Sequence, residues 1–253
     1  MLSRNKTKLI HSLKLKKFRE RYGLFVAEGQ KLISDLISAG AIINTIIGKE
    51  EWINDHKLQA KEIIYATEKE LKSVSQLKTI SPVLALVEIP EISADPDFKN
   101  ELVIGLDDIQ DPGNLGTIIR TAHWFDIKNI VCSTGTVDCY NSKVIQSTMG
   151  SIASVNVIYT DLKNFILNNK SELWRVYGTF LDGQNIYQTE FPERGIIILG
   201  NEGSGINPEL ESIIDYKLTI PNFTTKGIRP ESLNVSVAAS VIFSEFRRRN
   251  HNK

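Results

Sequence analysis

Three polar segments of the chain carry side chains that could do chemistry, and each follows a run of Val, Ile and Leu residues. Their candidate residues are Asn114 and Arg120 in the first segment, Glu202 in the second, and Ser232 and Asn234 in the third. Amide, hydroxyl, carboxylate and guanidinium groups can hold and orient a ligand by hydrogen bonds. None of the candidates is a histidine, so the usual side-chain base near neutral pH is not expected here.

The first segment, LDDIQDPGNLGTIIRTAHWF (106–125), predicts a turn followed by a helix. The letters DPG are typical of a turn, and Asn114 is a natural N-cap for a helix over 115–125. The apolar residues of this helix form one stripe, and at 100° per residue Arg120 lies about 160° from its centre. Arg120 is therefore predicted to point away from the sheet, toward solvent, a ligand or a second subunit.

The second segment, IIILGNEGSGINPEL (196–210), is a strand pattern that ends in a glycine-rich loop. Its glycines permit positive φ angles and close approach of the backbone to a ligand. Their spacing differs from GxGxxG, and no Lys-Ser or Lys-Thr pair follows as in a phosphate loop. Glu202 would repel a pyrophosphate, so a ligand with hydroxyls or positive charge fits better. The alternative interpretation is a tight turn in which Glu202 only caps the next helix.

The third segment, LTIPNFTTKGIRPESLNVSVAASVIFSEF (218–246), predicts a strand, a polar loop and a long helix. The strand ends at Ile220, and the helix that follows is rich in small Ser and Ala residues, which let backbones pack closely. Ser232 and Asn234 stand where this helix begins. In the alternative interpretation one of them is only its N-cap.

Alternating strand and helix patterns must position these segments. Over 101–253 the predicted strands are 102–109, 129–134, 155–160, 174–180, 195–200 and 216–221, and the predicted helices are 115–125, 141–149, 161–169, 207–214 and 234–249. Near-continuous Val and Ile runs indicate an α/β fold with a parallel sheet buried on both faces. In such sheets ligands bind beyond the carboxyl ends of the strands, where the polar segments lie.

Residues 1–92 form a second predicted unit, a small α/β domain. Its predicted helices are about 3–20, 30–40 and 68–77, and its predicted strands are 24–29, 41–49, 63–67 and 83–89. The stretch 90–100 has two prolines, three acids and few apolar residues, and it predicts a linker at 93–100 before the larger domain at 101–253.

Charge is unevenly distributed along the 253 residues. The 30 basic and 30 acidic side chains cancel, but residues 1–22 hold eight Lys and Arg residues against one acid, Glu20. Three arginines recur at 247–249. A basic arm on a neutral protein is typical of a chain with an anionic partner.

Two cysteines, Cys132 and Cys139, make no disulfide framework, and neither they nor the four histidines have metal-ligand spacing. The basic N-terminus is not followed by the apolar run of a signal peptide. No apolar stretch approaches the roughly 18 residues of a membrane span. The sequence therefore predicts a reduced, cytoplasmic protein without a metal or a membrane segment.

Together and in this order, DPGNLGTIIRTA, LGNEGSGI and IPN…SLNVSVAAS resemble the three signature motifs of the SpoU (TrmH) family of RNA ribose 2′-O-methyltransferases. The intervening GTVDCYNSKVIQSTMGS (135–151) is similar to the same family. FVAEGQKLISDLI (25–37) resembles the family's N-terminal RNA substrate-binding domain, which has an L30e-like fold. One departure is the longer loop 222–231, which includes Lys226 and Arg229 and borders the expected cofactor pocket.

The resemblance implies a catalytic domain with a deep trefoil knot (SPOUT type), S-adenosylmethionine bound in that knot, and a homodimer. The cofactor-binding residues it implies are Thr179, Leu199, Gly200, Asn201, Gly203, Ile220, Leu233 and Asn234. Recognition would be largely by backbone, so we expect a valine at Gly200 to obstruct the cofactor.

The resemblance also implies methyl transfer to a ribose 2′-hydroxyl, with Arg120, Asn114, Glu202, Ser232 and Asn234 as the catalytic set. An ordinary arginine holds its proton too tightly to be a base, so we favour Arg120 as a clamp on the neighbouring phosphate. Asn114 would hold the ribose or support Arg120, and the other three would shape the substrate end. The outward face of Arg120 suits a site completed across a dimer.

Two other classes of function are weighed against this one. A non-catalytic RNA-binding assembly factor would keep the basic N-terminal domain but would not need three intact motifs. A nucleotide-dependent oxidoreductase would need GxGxxG after the first strand and would not tolerate Glu202 in the glycine-rich loop. Ribosomal RNA is favoured over transfer RNA as substrate, because compact transfer RNA enzymes of the family often lack a separate N-terminal domain.

Overall fold

A computed structural model of the chain describes residues 1–56, 59–91, 98–191, 194–225, 227, 228 and 230–250. The α-helices, numbered along the chain, are α1 Arg4–Ser12, α2 Lys16–Tyr22, α3 Gln30–Ser38, α4 Glu50–His56, α5 Glu68–Val74, α6 Pro112–Trp124, α7 Ser142–Thr148, α8 Leu162–Asn169, α9 Pro208–Glu211 and α10 Val235–Asn250. The strands are β1 Leu24–Glu28, β2 Ile43–Gly48, β3 Glu62–Tyr65, β4 Val83–Glu88, β5 Leu102–Leu106, β6 Asn129–Cys132, β7 Asn156–Tyr159, β8 Arg175–Asn185, β9 Gly195–Leu199 and β10 Tyr216–Thr219.

Contacts divide the chain into two compact units, and the division is not a single cut. Residues 1–91 and 138–154 form the first unit, and the described parts of 92–137 and 155–253 form the second. The segment 138–154 joins the first unit because α7 packs on β1, where Gln146 donates to the Glu28 carbonyl oxygen at 2.7 Å. The boundaries at 92 and 101 stay a prediction, and the structure adds that α7 lies with the N-terminal elements.

The first unit is built on a four-stranded sheet in the order β1-β4-β2-β3. The pairs of β4 with β1 and β2 are antiparallel, and β2 pairs with β3 in parallel. The basic stretch predicted as one helix is two helices, because the chain turns between Leu13 and Leu15. Gly23 ends α2 at a φ of 61°, a left-handed conformation that favours glycine.

Arg19 is buried, although it belongs to the basic arm of residues 1–22. Its guanidinium donates to the carbonyl oxygens of Leu13 and Lys14 at 2.8 and 2.9 Å and pairs with Asp138 at 2.5 Å. This cation therefore holds the first unit together and is not available to an anionic partner.

The second unit contains the predicted parallel sheet, in the order β10-β8-β9-β5-β6-β7. Every neighbouring pair in it is parallel, and all residues of β5, β6 and β9 are buried. The α/β fold with a mostly parallel sheet is thus confirmed. Burial on both faces explains why these strands read as continuous Val and Ile runs.

Strand β8 differs from its predicted end at residue 180, since it continues to Asn185. Its pairing with β10 jumps from Gly178 opposite Lys217 to Gln184 opposite Leu218, which leaves residues 179–183 without a β10 partner. The β8–β10 edge of the sheet therefore opens within β8, because the two strands are not paired from residue 179 to residue 183.

The strand order reverses between β5 and β9, which in open α/β sheets leaves a cleft beyond the carboxyl ends of the strands. These strands are neighbours, with Leu106 opposite Leu199, but the chain leaves β5 toward β6 and leaves β9 toward β10 on the other side. Such a switch point is where open α/β sheets bind ligands. The first two polar segments begin at this cleft.

The C-terminal arginines are engaged within the second unit and do not form a free basic tail. Arg247 donates to the carbonyl oxygens of Phe125 and Asp126. Glu245 forms ion pairs with Arg248 and Arg249. Hydrogen bonds from those arginines outweigh burial and lower the pKa of Glu245 to about 2.

Within the described residues, no helix is long and apolar enough to cross a membrane.

Candidate active site

The loop after β5 is anchored by two adjacent acids. Asp107 is buried, accepts from the Asn207 N–H at 2.7 Å, and has a raised pKa chiefly because of that burial. Asp108 has a φ of 59°, its N–H donates to Ser133, and its carboxylate accepts from Gln110 at 2.8 Å. The sequence interpretation missed these positioning residues. Their only signal was an acid pair directly after a buried strand.

Helix α6 begins three residues earlier than predicted. Its N-cap is Asp111, whose carboxylate accepts from the Asn114 N–H at 2.9 Å, and Pro112 occupies the first helical position. The prediction that Asn114 caps this helix was wrong. Because Asn114 lies in the first turn, its side-chain amide is available for other partners.

Asn114 connects the three polar segments. Its Nδ2 donates to Oε1 of Glu202 at 2.9 Å, and its Oδ1 accepts from Nδ2 of Asn234 at 2.9 Å. Three of the predicted catalytic residues thus form one hydrogen-bonded chain. Each of the three comes from a different element: α6, the glycine-rich loop and the start of α10.

The Glu202 carboxylate also accepts from the backbone N–H groups of Gln110 and Asp111, each at 3.3 Å. Burial acts to raise the pKa of Glu202, but the hydrogen bonds from Asn114 and from backbone N–H groups outweigh it and lower that pKa. Glu202 is therefore a fixed negative charge at neutral pH and a poor proton acceptor. The interpretation of Glu202 as a helix cap was wrong, since Asn207 caps α9.

The glycine-rich loop closes on itself. Asn201 and Gly205 exchange two backbone hydrogen bonds of 2.9 and 3.0 Å. The side chain of Asn201 accepts from the N–H groups of Gly203 and Ser204 and donates to the Asp108 carbonyl oxygen at 2.8 Å. Asn201 therefore shapes the loop and ties it to the loop after β5.

Gly200 is required by this turn. A Cβ at Gly200 would lie 2.3 Å from the carbonyl carbon of Gly205, whereas a Cβ at Gly203 would meet only the Asn201 side chain at 3.6 Å. A valine at Gly200 would collide with its own loop, and the expectation that it would obstruct the cofactor stays a prediction.

The third segment reaches the site through Asn234. This residue caps α10, since its Oδ1 accepts from the N–H and hydroxyl groups of Ser236 at 3.0 and 2.6 Å, and it also donates to Asn114. The capping interpretation holds for Asn234, beside its contact with the other motifs. Ser232 is exposed and has no hydrogen bond to any described residue. Lys226 and Arg229 lie outside the described residues.

The residues predicted to bind the cofactor lie at one end of neighbouring strands and in the loops that follow them. Gly178 pairs with Ile198 and Lys217, so the register places Thr179, Leu199 and the stretch after β10 at one edge of the sheet. The predicted residues at this edge and its loops are Thr179, Leu199, Gly200, Asn201, Gly203, Ile220, Leu233 and Asn234. The edge offers apolar side chains, peptide groups and the nearby Glu202 carboxylate. That donor set fits an uncharged or cationic ligand and does not fit a pyrophosphate.

Arg120 is exposed, on the side of α6 away from its buried apolar stripe, as predicted. It makes no hydrogen bond or ion pair with any described residue, and it lies six residues, about 9 Å, along the helix axis from Asn114. Trp124, one turn further on, is 84% exposed. Arg120 is therefore not part of the hydrogen-bonded chain and is free to meet a substrate.

Comparison with known proteins agrees with this geometry. Residues 101–244 match the family model of the SpoU rRNA methylases, and residues 4–85 match the MRM3-like substrate-binding domain. The chain is 32% identical over 238 residues to 23S rRNA (guanosine(2553)-2′-O)-methyltransferase RlmP of Bacillus subtilis (strain 168), covering 93% of each protein.

Two solved structures are similar over nearly the whole chain. A TrmH-family protein from Porphyromonas gingivalis has a TM-score of 0.87 at 35% identity, covering 98% of this chain and 99% of its own. The AdoMet-bound rRNA methyltransferase from Sinorhizobium meliloti has a TM-score of 0.83 at 26% identity, covering 98% and 96%.

Proposed function

The chain belongs to the SpoU rRNA methylase family, and from that premise we propose that it transfers the methyl group of S-adenosylmethionine to a ribose 2′-hydroxyl of ribosomal RNA. The observation that carries the proposal is the hydrogen-bonded chain from Asn234 through Asn114 to Glu202. It joins all three signature motifs at the switch point of the sheet. A protein that only binds RNA would not need this arrangement.

The cofactor is proposed to lie against the opened sheet edge. Thr179, Leu199 and Ile220 would contact it at the strand ends, with Leu233 from the loop before α10. The apolar side chains and peptide groups suit an adenine ring, and the Glu202 carboxylate favours a positively charged ligand. S-adenosylmethionine supplies the methyl group when bound. We place this site in the trefoil knot that the family resemblance implies.

The substrate side is proposed to be held by Arg120. Its exposed guanidinium can grip the phosphate next to the reacting ribose with two donors and stabilise negative charge that develops on the 2′-oxygen. Glu202 does not take the hydroxyl proton, because its lowered pKa makes it a weak base. It holds Asn114 in place, and Asn114 is then positioned to orient the ribose together with Ser232.

We propose a homodimer in which Arg120 serves the partner's site. Arg120 and Trp124 are four residues apart on α6 and therefore share one exposed helix face. Helix α10 packs beside α6, with the hydroxyls of Thr121 and Ser240 3.4 Å apart, and its Val237 is 49% exposed. An exposed tryptophan beside other apolar residues is typical of an interface.

Large-subunit ribosomal RNA is the proposed substrate. The Bacillus subtilis relative bears the name of a 23S rRNA enzyme and matches over 93% of both chains. The match of residues 4–85 to a substrate-binding domain agrees with a large RNA target. An enzyme of ribosomal RNA is proposed to act in the cytoplasm.

Calorimetry and methyl transfer test this function. We expect binding of S-adenosylhomocysteine but not of NAD or ATP, and transfer of tritium from labelled S-adenosylmethionine to rRNA, with the site mapped by 2′-O-sensitive primer extension. Arg120→Ala and Arg120→Lys should each lose activity about 100-fold or more while still binding S-adenosylhomocysteine. Lys128→Ala, which removes another exposed cation of the same unit, is the matched control. Transfer only to transfer RNA would correct the substrate, and full activity of Arg120→Ala would refute the role of Arg120.

Mixing of two inactive variants tests the shared site. Arg120→Ala subunits are combined with Glu202→Ala subunits. If Arg120 acts across the dimer, each heterodimer regains one complete site and activity returns. Heterodimers that form but stay inactive would show that each site is built within one chain.

A further inference from the structure

The N-terminal helix α2 carries an aromatic and cationic surface that the proposed reaction does not use. We propose that Lys17, Phe18, Arg21 and Tyr22, which we call the α2 surface, bind unpaired nucleotides of the RNA substrate by base stacking. The proposal rests on the proposed function for the identity of the RNA, and it assigns a contact to a defined part of the first unit.

The aromatic half of the α2 surface is accessible. The rings of Phe18 and Tyr22 are nearly parallel, with 15° between their planes and 6.3 Å between their centroids. Tyr22 is 45% exposed, and Leu15, one turn before Phe18, is 53% exposed. Phe18 is partly exposed, and all three side chains lie within the most basic stretch of the chain.

The cationic half lies against the rings. Lys17 Nζ is 5.1 Å from the centroid of Phe18, and Arg21 Cζ is 5.6 Å from that of Tyr22. Neither cation pairs with a carboxylate among the described residues. Two positive charges are therefore held next to two aromatic faces without being neutralised.

The buried side of the helix explains why the two cations of the α2 surface face outward. Arg19 is buried in its ion pair with Asp138, and at 100° per residue Lys17 and Arg21 each lie about 160° from it. The one acid of the helix, Glu20, lies on the flank away from the rings and faces Lys16 at 3.9 Å. The buried guanidinium thus fixes the orientation of α2 and turns Lys17 and Arg21 outward.

This combination is selective for unpaired RNA. The bases of a duplex are stacked on each other and offer no free face to a side chain, whereas unpaired bases can stack on aromatic rings. Cations beside the rings can hold the adjoining phosphates, as in grooves that bind single strands. A surface for duplex RNA would need only the cations.

Fluorescence anisotropy with labelled oligouridine and with a labelled RNA duplex tests the proposal on the full-length protein. Tyr22→Ala should weaken oligouridine binding about 10-fold, the scale of one lost stacking contact, without changing the salt dependence. Tyr22→Phe should bind like the wild type because it keeps the ring. Lys17→Ala and Arg21→Ala should each reduce the slope of log K against log salt by about 0.7.

Tyr65→Ala is the matched control, since Tyr65 is 47% exposed at the edge strand of the same unit. It should bind both RNAs as the wild type does. The proposal is overturned if Tyr22→Ala binds oligouridine normally, or if it loses duplex and single strand equally. Retained binding of S-adenosylhomocysteine and retained methyl transfer by the wild type would show that the proposed function stands even then.

Discussion

The contact between Asn114 and Glu202 can be converted from attraction to repulsion by one nearly isosteric change, Asn114→Asp. In the wild type Nδ2 of Asn114 donates to the Glu202 carboxylate at 2.9 Å, and Oδ1 accepts from Asn234. The variant keeps the acceptor for Asn234 but places a second carboxylate oxygen against Glu202.

The size of the effect follows from the 2.9 Å separation. Two unit charges at that distance repel by about 6 kcal/mol at an effective dielectric constant of 20 and by about 1.4 kcal/mol in bulk water. Because Glu202 is exposed and Asn114 is only half-buried, we expect about 2 kcal/mol. Loss of a hydrogen bond to a charged acceptor adds about 1.5–3 kcal/mol.

This repulsion makes the variant's activity depend on pH in a defined direction. The repulsion raises the pKa of the carboxylate pair, because the second negative charge disfavours ionisation of both groups. Near pH 8 both groups are charged and the chain of hydrogen bonds is broken. As the pH falls from 8 into the acid range, one shared proton restores an O–H···O contact, so the ratio of variant to wild-type activity should rise.

Rates of methyl transfer across this pH range, with binding of S-adenosylhomocysteine measured in parallel, check the prediction. Asn114→Ala is the control, because it removes the same hydrogen bond without adding charge, and its ratio to wild type should vary less with pH than that of Asn114→Asp. A constant ratio for Asn114→Asp, or wild-type activity near pH 8, would refute the electrostatic reasoning.

Three further predictions concern stability and the site's loops. Gly200→Ala should destabilise the second unit by about 1–3 kcal/mol because its Cβ meets the backbone of its own turn, whereas Gly203→Ala should resemble the wild type in thermal unfolding. Arg19→Met should lower the free energy of unfolding by about 3–5 kcal/mol because it leaves Asp138 without its cation, and adding Asp138→Leu should restore only part of that loss in urea unfolding, since the carbonyl oxygens of Leu13 and Lys14 still lack their donor. The pKa of Glu202 is lower in the folded than in the unfolded chain, where it is about 4.3, so ionised Glu202 stabilises the fold above that pH. This stability is lost as the pH falls through the folded-state pKa. The urea midpoints of wild type and Glu202→Gln should therefore converge only below about pH 4.

The residue pattern alone predicted the local features of this protein. Continuous Val and Ile runs predicted a parallel sheet, the 3.6-residue period placed Arg120 opposite the buried stripe of α6, and the motifs resembled one enzyme family. These features depend on neighbours in the chain or on short motifs, so they can be read without knowing which distant segments meet.

Only the tertiary structure decided which groups meet. Glu202 and Asn234 lie 88 and 120 residues from Asn114, and their contacts depend on the strand order and register, which no local pattern encodes. The same holds for the burial of Arg19 against a residue 119 positions away, which removed one cation from the basic arm. It also holds for Gly200, whose lack of a side chain is required by the return of Gly205. Hydrogen-bond partners and steric neighbours are set by packing in three dimensions, and the sequence could name these residues without saying what each one touches.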